Sequence, residues 1–147
     1  MGVAVFEILP GVGIGPIHFG MTMEQVVGTL ERVGLPGDGI YFGTDNAVQV
    51  EYTEEKVSFI GLAHSEVFQA MLFGVDVFDT NAEEVFAQVA AHESQPHTFD
   101  RSEYVFPDSI VTLWEADTQY DPKGLGRQMW GQVGLGNAVY FKAIQAL

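Results

Sequence analysis

Met23, Val26, Val27 and Leu30 fall at i, i+3, i+4 and i+7, one apolar face of a helix, and Ala82, Val85, Phe86 and Val89 repeat the spacing. Both runs open alike. Thr22 and Asn81 stand where an N-cap side chain accepts from the first free backbone N–H groups. Gln25 and Glu84, three residues on, are placed to reach back to the cap residue's own N–H. The pattern predicts one helix from Met23 to about Val33, stopped by Gly34 and Pro36, and another from Ala82 to about Ala91. Elsewhere the period drops to two. Val3 and Val5 alternate with Ala4 and Phe6 in a first strand over 3–9, and Val48, Val50 and Tyr52 alternate with Gln49 and Glu51. A polar Thr53-Glu54-Glu55-Lys56 turn leads back into a strand over 57–62, and 66–73 reads as a third, continued by 75–78 after Gly74.

The second half repeats this order. Strands are predicted over 104–106 and 109–115, split at Pro107-Asp108, and over 130–135 and 138–142. Tyr41, Asp45, Val48 and Val50 align with Tyr104, Asp108, Val111 and Leu113 at an offset of 63, whereas the helix starts align at 59. A diverged tandem repeat with a four-residue insertion accounts for this; chance similarity of two half-buried αβ segments is the alternative. Units of about 17–73 and 76–142 would each be marginal alone at roughly 70 residues, so they are expected to share one core in a single domain, 1–147. The expected fold is α+β: two tandem α-β-β-β units sharing one curved antiparallel sheet, with two helices packed on one face. The units part company at 117–127, where a long loop replaces the short first hairpin, and long loops in compact domains are often functional.

Charge then narrows the partners. Six Lys and Arg against 20 Asp and Glu leave a net −14, divided as −17 over residues 1–121 and +3 over 122–147. Such a field repels nucleic acid and anionic membranes and steers basic partners in, although an acidic surface also serves solubility alone. The chain has no cysteine, so disulfide and thiolate chemistry is excluded. Met1-Gly2-Val3-Ala4-Val5 shows no basic stretch followed by an apolar run, and no segment approaches the length of a membrane span, so a cytoplasmic location is expected.

Motifs for catalysis are not found. His18, His64, His92 and His97 lack metal-ligand spacing, and Pro96 keeps His92 and His97 off one helix face. Asp76 and Asp79 flank a helix start, where carboxylates favour the positive end of the dipole. The glycines of 11–15 and 131–136 lack both dinucleotide spacing and a P-loop lysine, so they read as turns, bulges or close strand packing. No catalytic residue, metal or cofactor is expected. Aromatic residues carry more. If Val111 and Leu113 face the helices, Thr112 and Trp114 face away, and Trp114 beside Glu115 and Asp117 has the make-up of a protein-binding patch. The reverse assignment, with Trp114 in the core, is equally open. Trp114, Glu115, Asp117, Tyr120, Asp121 and Trp130 are the candidate partner-binding residues.

Phe19-Gly20-Met21-Thr22-Met23-Glu24-Gln25-Val26 resembles the F-G-M-T-x-x-Q-V start of the tandem units in secreted β-lactamase inhibitor proteins. It is also similar to the helix start of small outer-membrane-assembly lipoproteins. The second copy, Phe78-Asp79-Thr80-Asn81-Ala82-Glu83-Glu84-Val85, keeps only Phe78 and Val85 of that motif. The inhibitors are exported and disulfide-bonded and the lipoproteins need a lipidated Cys, and this chain shows neither leader nor Cys. The resemblance implies a sheet backed by helices that offers its other face to a protein. Together these readings point to a non-enzymatic inhibitor or immunity-type protein with a basic protein partner. The alternatives are a ligand-binding protein or enzyme with a pocket between sheet and helices, or a homo-oligomeric module such as a homodimer.

Overall fold

The computed structural model describes residues 3–147; Met1 and Gly2, on which part of the N-terminal reading falls, lie outside them. The described residues form an α+β fold. The chain opens with strands β1 (Ala4–Leu9), β2 (Gly13–Ile14) and β3 (Ile17–His18), then helix α1 (Met23–Arg32). Strands β4 (Tyr41–Phe42), β5 (Val48–Thr53) and β6 (Lys56–Leu62) follow, then β7 (Phe68–Leu72) and β8 (Val75–Asp76). Helix α2 (Ala82–Ala90) precedes β9 (Glu103–Val105), β10 (Val111–Asp117) and β11 (Met129–Gly136), and α3 (Ala138–Gln145) closes the chain.

Both predicted helices begin where their caps stand. The Thr22 side chain accepts from the Gln25 N–H while the Gln25 side chain accepts from the Thr22 N–H, a complete capping box. Asn81 accepts from the Glu84 N–H. Helix α2 buries its whole apolar stripe and α1 part of it: Val26 and Leu30 from α1, and Ala82, Val85, Phe86 and Val89 from α2, enter one core with Val50, Ile60, Val111 and Leu135, while Val27 is half-buried and Met23 exposed.

The larger sheet has the order β4-β5-β6-β11-β10-β9 and is antiparallel throughout. Each half is one α-β-β-β unit, and the two meet at β6 and β11. There Gly61 pairs with Gly134, Leu62 with Val133 and Ile60 with Leu135, so the junction reads the same from either unit. Tyr41 in β4 corresponds to Tyr104 in β9, and Val48 in β5 to Val111 in β10, the offset seen in the sequence.

Three details differ from the sequence reading. The strand at 66–73 is not the third strand of the first unit; β4, inside what read as a glycine-rich connection, takes that place. Strand β7 instead joins a second sheet of order β3-β2-β1-β7-β8, in which β1 and β7 run parallel. Residues 138–142, read as a strand, are helical, with Asn137 capping them through the Tyr140 N–H. There are thus two sheets rather than one, and α3 is a third helix, lying against the sheet face opposite α1 and α2.

The β5–β6 turn carries Glu54 and Glu55 at φ 52° and 68°, left-handed values that L residues adopt at a cost. A two-residue hairpin of this kind favours Asn-Gly. The double change Glu54→Asn and Glu55→Gly is expected to stabilise the fold by about 1 kcal/mol, read as a raised urea midpoint with an unchanged slope.

Candidate functional site

Alternation along β5, β6, β10 and β11 sends Val48, Val50, Ile60, Leu62, Val111, Leu113, Val133 and Leu135 into the core. Their neighbours form the opposite face. One row of register partners crosses all six strands: Tyr41, Gln49, Gly61, Gly134, Thr112 and Val105. A second row places Trp114 between Gln132 and Glu103, and a third places Phe59 between Glu51 and Gly136. None of these positions is Lys or Arg.

The two central glycines have a steric cause. A Cβ on Gly134 would stand 2.5 Å from Thr112 Oγ1 and 2.6 Å from the Phe59 ring. A Cβ on Gly61 would meet the Gln132 side chain at 2.8 Å. The Phe59 ring lies across the sheet and requires a bare strand beneath it. Gln132 also donates to Gln49 Oε1 (3.3 Å), tying the two units together across the trough.

Trp114 is 42 % exposed on this face, the arrangement expected if Val111 and Leu113 face the helices, and both are in the core. Its indole Nε1–H donates to Glu103 Oε1 at 2.8 Å, which holds the ring in one orientation. Glu115 follows with left-handed backbone (φ 48°), and its N–H donates to the Ser102 carbonyl. Past this irregularity Ala116 and Trp130 turn towards the core. Trp130 is therefore not a surface residue: it is 1 % exposed, packs against Phe99 and Tyr104, and donates from Nε1 to the Ala82 carbonyl (2.9 Å) at the start of α2.

The 117–127 loop is ordered rather than open. Asp117 accepts from the Gln119 N–H and caps a single 3₁₀ turn over Thr118–Tyr120. The Tyr120 ring covers Gly131; burial first, then the charges of Glu115 and Asp117, push its phenol up. Asp121, expected to meet a partner, is closed off from solvent under the loop it organises. It accepts from the backbone N–H groups of Lys123, Leu125 and Arg127 and from the Arg127 guanidinium. The guanidinium, followed by those N–H groups, holds its carboxyl far below the usual carboxylate range. Arg127 also pairs with Asp79 at 2.9 Å, and Lys123 reaches the same carboxylate at 3.0 Å. Lys123 first and then Arg127 lower the Asp79 carboxyl. Two of the three basic residues after position 121 are thus spent on pinning the loop to the α2 start.

Of the six candidates, the structure leaves Trp114, Glu115, Asp117 and Tyr120 at or near the surface of one region, and encloses Asp121 and Trp130. Sequence reasoning missed Gln49, Phe59, Glu103 and Gln132. The alternation that placed Trp114 could have found Gln49 and Gln132, but Glu103 required the β9–β10 register.

A separate shallow groove of about 340 Å³ runs between β7 and the loop, floored by Phe68, Ala70 and Phe78. Its charged rim is largely self-satisfied: Gln69 donates to Asp76, and Lys123 pairs with Asp79. Among the described residues no three His, Asp or Glu side chains group closely enough to hold a metal ion, and no helix is long and apolar enough to cross a membrane. No protein family, curated protein or solved structure matches the chain.

Proposed function

We propose that this protein is a non-enzymatic inhibitor or immunity-type protein, acting in the cytoplasm, that binds a basic protein through the open face of its larger sheet. The observation that carries the reading is Trp114, an exposed indole fixed by Glu103 on a sheet face whose register positions hold no cation. A large ring already held in one rotamer loses little freedom on binding, which is what an interface anchor requires. The net charge of −14 adds long-range attraction for a basic partner. The helix-start resemblance to β-lactamase inhibitor proteins points the same way.

The test is affinity capture from lysate of the expressing cells, comparing wild type with Trp114→Ala at low and moderate salt. One basic protein retained stoichiometrically, weakened by salt and lost with Trp114→Ala, is the expected result. Truncating a central interface tryptophan costs about 2 kcal/mol or more, roughly 30-fold in Kd. A charge reversal at Glu115 should mainly slow association. Equal capture by wild type and Trp114→Ala would remove the face from the reading. Recovery of the bait alone, with a dimer by light scattering at micromolar concentration, would replace it with self-association.

A further inference from the structure

Helix α3 lies on the same sheet face, over β6 and β11. None of its eight residues is buried, Val139 is 52 % exposed, and Leu147 beyond it is fully exposed. Helices this short do not persist unaided in water, so its position depends on what it touches. Two anchors account for that. The Asn137 N–H donates to the Ser58 carbonyl (3.0 Å), and the Tyr140 ring stacks on Phe59 with centroids 4.6 Å apart. The sheet beneath is cleared for these rings: a Cβ on Gly136 would strike Tyr140, and one on Gly134 would strike Phe59. A bare strand surface beside an aromatic wall is a ring-shaped slot, and Tyr140 is the ring now in it.

Resting on the docking reading above, we propose that α3 is a displaceable placeholder. The slot formed by Phe59 and Gly136 takes an aromatic side chain of the bound protein in place of Tyr140. The slot is continuous with the rest of the face: its Phe59 wall lies over Gly61, which lies against Gln132, the register neighbour of Trp114. The partner it fits therefore carries an aromatic residue next to its basic surface, with the aromatic entering the slot as α3 swings out about the Gly136–Asn137 link.

The test uses the full-length chain and, as probe, a fluorescein-labelled peptide of residues 137–147. In wild type the tethered helix competes at an effective concentration in the millimolar range, so Tyr140→Ala is expected to bind the peptide about tenfold or more tightly. Amide shifts should appear at Phe59 and Gly136, and a peptide with alanine in place of the tyrosine should not bind. Tyr140→Phe, which keeps the ring, should behave as wild type. Independently of any variant, hydrogen exchange on wild type should show α3 opening locally while β11 exchanges only with global unfolding. Equal peptide affinity for wild type and Tyr140→Ala, or α3 amides as protected as those of β11, would overturn the proposal. Those results bear on α3 alone, whereas capture by Trp114→Ala bears on the docking face.

Discussion

Trp130→Ala is expected to destabilise the protein by about 4 kcal/mol, within the range for emptying a buried aromatic site. For a chain of this size that lowers Tm by roughly 10–15 °C. Trp130 lies within the second unit, between β9 and the start of α2. Its ring is edge-on to Tyr104 and tilted against Phe99, and its Nε1–H satisfies the Ala82 carbonyl at the first residue of α2. Alanine leaves a cavity among rings that cannot collapse into it, and it removes a buried hydrogen bond. Trp130→Phe keeps most of the packing and loses that bond, so about 1–2 kcal/mol is expected. Trp114→Ala makes the comparison sharp: its ring is on the open face, and a loss below about 1 kcal/mol is expected. Urea titrations of the three variants decide the matter. Similar losses for Trp114→Ala and Trp130→Ala would mean that the face assignment of β10 and β11 is wrong.

Asp121→Asn should release the 121–127 loop. The carboxylate accepts from three backbone N–H groups and from the Arg127 guanidinium, and an amide presents a single acceptor oxygen to them. Arg127 would keep Asp79 but lose its enclosed partner. A fall in Tm of about 5–10 °C is expected, with trypsin cleavage after Lys123 and Arg127 accelerated about tenfold through local opening. The pH dependence identifies the cause. Asp121 and Asp79 both titrate below their ordinary value in the folded state. A carboxyl lowered by folding contributes its full stability above its unfolded value, near 3.9, and loses it as pH falls towards the folded value. The gap between wild type and Asp121→Asn should therefore be constant above about pH 5 and narrow below about pH 4. A gap that stays the same at pH 3 would show that the asparagine acts through shape rather than charge.

Most of the repeat plan was legible because its signals are local. Thr22, Gln25 and Asn81 cap helices in a window of four residues, and strict alternation in β5 and β10 marks two faces without reference to any other strand. Asp121 was not legible as an enclosed group, because its partners lie up to six residues away in an irregular loop and the Arg127 guanidinium it meets is shared with the distant Asp79. Trp130 was misplaced because alternation back from Val133 puts it on the open face, and the left-handed Glu115 opposite that stretch of β11 marks where the alternation fails.

The positions of α1 and α2, the α+β class, the twofold repetition and the two-faced character of β10 follow from local pattern and backbone chemistry, where neighbours a few residues apart decide the outcome; which face Trp114 takes does not. The choice of β4 over β7 as the third strand, the parallel β1–β7 pair, the burial of Asp121 and Trp130, and the docking of α3 over Phe59 came from tertiary packing. Each depends on contacts between residues distant in sequence, whose formation is settled by the shared core and the register of the central strands rather than by any stretch read alone.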